Sequence, residues 1–173
     1  ENANSYQLIT VQTVDKPLDL LFISLEIEPS DNDLAWANDI VKAHPDAYTI
    51  VSTHKYLSDK GKLDTKREYS REGNTGQEIW EKLIKKNCSI KMVLNGHYHA
   101  VDGEYTLVSR NSCDQDVYQI IQDYQEREVG GNGRLRYYTF DSASKTISAK
   151  TYSPHTGTFE EDEDSQFSIP FNY

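Results

Sequence analysis

Ile90-Lys91-Met92-Val93-Leu94-Asn95-Gly96-His97-Tyr98-His99 is the stretch that decides how this chain is read. Four of its first five residues are apolar, and Asn95-Gly96 breaks the run. Such a run ending in Asn-Gly reads as a buried strand opening into a tight loop. Two histidines spaced two apart on that loop can turn both imidazoles into one pocket at the strand's carboxyl end. That is where α/β folds place their chemistry. Imidazole is the commonest protein metal ligand near neutral pH. Gly96, with no side chain, is the expected point at which the backbone turns sharply enough to bring His97 to a metal.

Upstream, residues 47–52 form a second apolar run that ends at Thr53-His54. If the two strands are parallel neighbours, His54, His97 and His99 converge above one sheet edge as candidate metal ligands. The other two histidines read differently. His44 precedes Pro45 at a helix end, and His155 sits in a Ser153-Pro154-His155 turn, so neither is expected to bind metal. Tyr98 is expected either to face a substrate or to pack on the loop. Asn95 is expected either to hydrogen-bond a ligand histidine from behind or to turn the chain. Lys55, Arg67 and Arg71 follow His54 in a charged stretch; they could reach a phosphate from there, but each reads first as solvated loop.

Further out, the pattern alternates strand and helix. Residues 6–14 and 18–25 read as strands. Ser30 or Asp31 caps a helix over 32–44, whose Leu34, Ala37, Ile40 and Val41 recur at helical spacing before Pro45 stops it. Residues 58–74 read as a long exposed loop, and 77–87 as a helix with Ile79, Trp80, Leu83 and Ile84 on one face. After the histidine loop the pattern changes to strands alone, over 104–110, 116–125, 134–141 and 146–153. Gly130-Gly131-Asn132-Gly133 reads as a hairpin turn. The acidic run 160–164 reads as solvated loop, and 167–173 as a last strand or ordered tail. The expected fold is therefore one α/β domain over 1–173, with order β-β-α-β-α-β followed by an antiparallel β meander.

Composition sets bounds. The chain has 173 residues, enough for one domain with a real core. A hydrophobic fraction of 36% argues for folding, and twelve tyrosines suit half-buried strand positions. A formal charge of −10 disfavours nucleic acid and anionic lipid as partners. No run approaches the roughly 20 apolar residues of a membrane span. The first residues, Glu1 to Ser5, are polar, so the chain as it stands shows no signal peptide. Cys88 and Cys113 are expected to be free thiols, because two cysteines do not make a disulfide framework.

The two histidine stretches together resemble a known family. Ile50-Val51-Ser52-Thr53-His54 and Val93-Leu94-Asn95-Gly96-His97-Tyr98-His99 look like the last two motifs of the calcineurin-like metallophosphoesterases. Leu34-Ala35-Trp36-Ala37-Asn38, Val117-Tyr118-Gln119-Ile120, Asp123-Tyr124-Gln125, Gly130-Gly131-Asn132-Gly133, Thr151-Tyr152-Ser153-Pro154 and Asp164-Ser165-Gln166-Phe167 extend the likeness to a secreted bacterial branch of that family. The resemblance implies a helix-flanked β-sandwich, a phosphoester substrate, and two divalent ions, commonly manganese, iron or zinc. His54 and His97 would hold one ion and His99 the other. It also implies a secreted or cell-surface location.

The family's Asp-x-His, Gly-Asp-x-x-Asp and Gly-Asn-His motifs do not occur in the chain. The chain therefore resembles the carboxyl-terminal half of such an enzyme. The bridging aspartate and the histidine that protonates the leaving group would lie in an amino-terminal half. Three histidines without those carboxylates are not expected to hold two ions, so the chain alone is expected to be inactive. Half a sandwich is also expected to leave an apolar face uncovered and to self-associate through it. The other reading is a binding or structural module that keeps the fold without the chemistry.

Overall fold

A computed structural model describes residues 4–99 and 102–173. The polar start at residues 1–3 lies outside them. Two sheets pack face to face, with helices on the outer face of the larger. The six-stranded sheet comprises β1 (Ser5–Gln12), β2 (Pro17–Leu25), β3 (Tyr48–Thr53), β4 (Ile90–Asn95), β5 (Glu104–Arg110) and β6 (Asp116–Gln122), in spatial order β1-β2-β3-β4-β6-β5. Strands β2, β3, β4 and β6 run parallel, while β1 and β5 are antiparallel edges. The second sheet has order β10-β8-β7, from β7 (Leu135–Asp141), β8 (Thr146–Ser153) and β10 (Gln166–Pro170). The two-residue β9 (Thr158–Phe159) pairs with β8.

The helices form where capping residues permit it. Ser30 caps α1 (Asp31–Ala43): its side chain accepts from the Asp33 N–H while Asp33 accepts from the Ser30 N–H, so two end donors are satisfied reciprocally. Thr75 and Glu78 repeat the device at α2 (Gly76–Ile79), which continues as a wider π-type turn over Trp80–Ile84. Residues after Ala43 meet Pro45, which cannot continue a helix.

The parallel strands are buried on both faces. In β3, Tyr48 and Ile50 point one way and Val51 the other; in β4, Met92 and Val93 divide in the same manner. Val51, Val93, Ile23 and Ile121 pack under Leu34, Val41, Ile79 and Leu83 of the helices. Tyr48, Ile50, Met92 and Ile120 pack against Ile147, Ile169 and Phe171 of the second sheet. Each fully buried aliphatic side chain of this kind contributes roughly 1.5–3 kcal/mol.

Four expectations are corrected here. The uncovered sheet face does not exist: the chain's own second sheet covers it. The late strands do not form one meander, because β5 and β6 join the first sheet and β6 lies parallel to β4. Val117, Gln119, Ile120 and Ile121 are all buried, which marks a two-faced interior strand rather than a half-exposed one. Residues 129–132 are no hairpin turn. They take left-handed backbone, with φ between 52° and 76°, and carry the chain from the first sheet to the second. Finally, Cys88 and Cys113 are joined in a disulfide, with a Cα–Cα separation of 5.8 Å.

Candidate metal centre

β3 ends at Thr53 and β4 at Asn95, so His54 and His97 leave neighbouring parallel strands at the same sheet edge. The backbone ties the two loops together, with the Gly96 N–H donating to the His54 carbonyl at 3.1 Å. The side chains also meet. His97 Nδ1 lies 3.2 Å from His54 Nε2, and the ring centroids are 5.0 Å apart. Two nitrogens that each sit about 2.1 Å from one tetrahedral ion are roughly 3.4 Å apart. The pair therefore has the spacing of two ligands on a single ion.

The sharp turn that achieves this falls on His97, not on Gly96. His97 has φ 70°, whereas Gly96 has no positive φ, and a methyl there would meet only Gln122 O at 3.4 Å and Asp123 Oδ2 at 4.0 Å. A left-handed non-glycine residue costs about 1–2 kcal/mol. Such strain collects at functional sites, where surrounding structure holds it in place.

His99 stands apart. Its Nδ1 lies 3.2 Å from the Asp123 carbonyl at the end of β6. A carbonyl only accepts, so Nδ1 carries the hydrogen and Nε2 is left with its lone pair. Gly103 makes the approach possible. At φ +100° it faces Asp123, and a methyl in its place would come within 2.2 Å of Asp123 O and 3.3 Å of His99 Cε1. Among the described residues, ligand atoms of the three histidines do not gather within 4.8 Å of one another. The structure thus pairs His54 with His97 and presents His99 separately.

A residue that the sequence reading missed completes the pair. Glu68 Oε2 is 3.0 Å from His97 Nε2, and Glu68 Oε1 accepts from the Tyr98 hydroxyl at 2.7 Å. These bonds, Tyr98's first and then His97's, hold the Glu68 carboxyl below its ordinary range against a small opposing burial effect. Burial, and then the bond to anionic Glu68, pushes the Tyr98 hydroxyl up. Among the described residues, Glu68 is the one carboxylate hydrogen-bonded to any of the three histidines.

Glu68 is held by a buried anchor. Lys55, next to His54, has a fully buried ammonium 2.9 Å from Glu28 Oε1 and 2.7 Å from Asp64 Oδ2. Glu28 also accepts the backbone N–H groups of Glu68 (2.6 Å), Tyr69 (2.9 Å) and Ser70 (2.7 Å). Burial opposes ionisation of Glu28, but Lys55 and then these three N–H donors outweigh it and hold its pKa down to about 2. The reading of Lys55 as solvated is thereby corrected; within 58–74, residues 65–72 are exposed as expected, while Gly61, Asp64, Gly73 and Asn74 are buried and anchor the loop. Arg67 turns away to Glu78 and the Gly73 carbonyl, and Arg71 is exposed. Among the described residues, Asn95 hydrogen-bonds to no histidine. Its amide accepts from the Leu57 N–H and donates to the Ile120 carbonyl, pinning the loop after β3 to β4 and β6.

A second acidic group joins Glu104, Asp162 and Asp164. Glu104 is completely buried and already saturated by Arg136 at 2.5 Å, Thr151 at 2.7 Å, Ser165 and Tyr124. Burial first, then Asp162, pushes Asp164 up to about 6. Glu160 bridges Arg127 and Arg134, each at 2.6 Å, so the start of the acidic run is tied into an ionic cluster, while Glu161, Asp162 and Glu163 are exposed as expected.

The fold and site together define an α/β sandwich with an imidazole cluster at the carboxyl ends of parallel strands. No family model matches the chain. It is 34% identical over 129 residues to "Uncharacterized protein YvnB" of Bacillus subtilis (strain 168), a match covering 73% of this chain and 9% of that protein. The chain thus spans under a tenth of the length of the curated relative it matches. Among solved structures it is similar to "GAP50 the anchor in the inner membrane complex of Plasmodium", with TM-score 0.55 and 10% identity over 96% of this chain and 55% of that one. At that identity the likeness concerns the fold alone.

Proposed function

We propose that this chain is the histidine-bearing, carboxyl-terminal part of a calcineurin-like metallophosphoesterase that hydrolyses phosphate mono- or diesters. The observation that carries this reading is the 3.2 Å approach of His54 Nε2 and His97 Nδ1 at the ends of adjacent parallel strands. His54 and His97 would hold one ion, and His99, through Nε2, which has no partner among the described residues, would contribute to a second. Two divalent ions held there (manganese, iron or zinc) would supply the charge that polarises a phosphoester and acidifies a water. The chain's own residues orient the donors: Glu68 and the Asp123 carbonyl fix the rings, and Tyr98, whose hydroxyl holds Glu68, would be a candidate substrate contact. The upstream half would add the missing carboxylates and the proton donor. The Cys88–Cys113 disulfide supports a secreted or cell-surface location, and the relative in Bacillus subtilis supports a bacterial one. No helix among the described residues is long and apolar enough to cross a membrane. The reading includes self-association of the isolated chain.

The test is hydrolysis of an aryl phosphate with added manganese. The 173-residue chain is expected to show no enzyme-like turnover. The full-length protein is expected to hydrolyse the ester, and His54→Ala or His97→Ala to abolish that. A full-length protein without turnover or bound metal would favour the second reading, a binding module that keeps the fold. One observation favours that alternative: both His97 nitrogens and His99 Nδ1 already have protein partners.

A further inference from the structure

We infer that Glu68 is the positioning residue of this centre: it sets the tautomer of His97 so that Nδ1, the nitrogen facing His54, is the one left bare. The proposal rests on the metal-centre reading for its purpose, but the geometry that carries it needs no ion.

A neutral imidazole has one N–H and one lone pair, and its partners decide which nitrogen carries which. An ionised carboxylate is acceptor-only. Glu68 Oε2 at 3.0 Å from His97 Nε2 therefore places the hydrogen on Nε2. The lone pair is then on Nδ1, which lies 3.2 Å from His54 Nε2. A carboxylate behind a ligand histidine also makes the imidazole a better donor, and its removal typically costs 10–100-fold in metal affinity.

The carboxylate is aimed rather than casual. The Tyr98 hydroxyl holds its other oxygen at 2.7 Å, so two consecutive groups of the histidine loop grip both oxygens. The backbone behind it is fixed as well, because the Glu68 N–H donates to buried Glu28 at 2.6 Å. Glu28 in turn binds Lys55, the residue after His54. A single buried carboxylate thus ties the loop that orients His97 to the loop that carries His54. His99 has the Asp123 carbonyl in the corresponding role. The two imidazoles are oriented through opposite nitrogens, Nε2 in His97 and Nδ1 in His99.

Nitrogen-15 chemical shifts of His97, recorded at alkaline pH on the metal-free 173-residue chain, test this directly. The wild-type chain is expected to show the Nε2–H tautomer. Glu68→Ala is expected to give a mixture or the Nδ1–H form, with the backbone spectrum otherwise retained. Glu68→Gln, which keeps an acceptor oxygen, is expected to restore the Nε2–H form. An Nδ1–H tautomer in the wild type, or one unmoved by Glu68→Ala, overturns the proposal. The second arm is titration with zinc ion, in which Glu68→Ala should weaken binding by roughly 10-fold or more. If the wild-type chain binds no zinc, the metal-centre reading suffers while the tautomer arm still decides the role of Glu68. If zinc binds equally to wild type and Glu68→Ala, the positioning role fails and the centre stands.

Discussion

Glu28 is the residue on which the site's backbone hangs, and its acidity is measurable as stability. In the folded chain its pKa is held down to about 2, from an ordinary 4.5. A carboxylate depressed in this way stabilises the fold fully above the unfolded value. That contribution is lost progressively as pH falls from about 4.5 toward 2. Its size is on the order of 3 kcal/mol. Glu28→Gln keeps the shape but removes the charge that meets Lys55 and three N–H donors. Urea denaturation should therefore show a deficit of roughly 3 kcal/mol at pH 7, shrinking as both proteins are taken below pH 4. An equal deficit at pH 7 and pH 3 would show that the lost interaction is not that of the ionised carboxylate. Much of this residue-level machinery was invisible in the sequence. His54 and His97 stood out because each follows an apolar strand, and the ladder between the strands does the rest. Glu68 lies 14 residues after His54 in a stretch with no periodicity, so only the closed loop reveals which histidine it meets. Lys55 reads as one more charge in a polar run, because a buried ion pair leaves no periodic trace when its partners, Glu28 and Asp64, lie far upstream and across a loop.

Among the elements, those with strong local signals were legible. The helix after Ser30 and the strands at 104–110 and 146–153 sit where periodicity and capping put them, because those signals are themselves the local energetics. What failed was pairing. An apolar strand does not state its neighbour, so the pattern over 116–125 suggests a meander where β6 in fact adds parallel to β4. The disulfide failed for a related reason, since its cysteines approach only once β5 and β6 have formed their hairpin beside the helical turn. Cys88 follows that turn and Cys113 lies between β5 and β6, so the bond fastens helix layer to sheet at the end opposite the histidines. Closing a loop of 25 residues contributes about 3 kcal/mol in the chain-entropy account. For a chain of this size that corresponds to roughly 6–12 °C in Tm. Cys88→Ser with Cys113→Ser should melt lower by that amount and should no longer respond to reductant. Because the bond is remote from His54 and His97, the zinc affinity of the double variant at room temperature should match that of the wild type. A loss of binding would mean that the two ends of the sheet are coupled.

At the scale of the whole molecule, self-association was expected through an uncovered sheet face, but the second sheet and helices fill both faces of β2, β3 and β4. The open surface is instead an edge. Among the described residues β1 pairs only with β2, and seven of its eight residues, Ser5 to Gln12, are exposed. Its sequence, Ser-Tyr-Gln-Leu-Ile-Thr-Val-Gln, has no charge and no proline, and Tyr6, Leu8 and Ile9 expose 38–49% of their surface. Natural edges are normally blunted by lysine, proline or a bulge, because unpaired N–H and C=O groups template another strand. None of these devices is present in β1, whereas the opposite edge strand, β5, ends in a charged Arg110 paired with Asp114 and Asp116. The net charge of −10 opposes association of two copies, so pairing should strengthen as salt screens it. Light scattering of the isolated chain at high concentration should therefore report a dimer whose fraction rises with ionic strength. Ile9→Lys, which puts a charge on the edge without touching the core, should leave a monomer with an unchanged melting temperature. Association that survives Ile9→Lys, or weakens with salt, would remove β1 as the contact and leave a charged surface as its source.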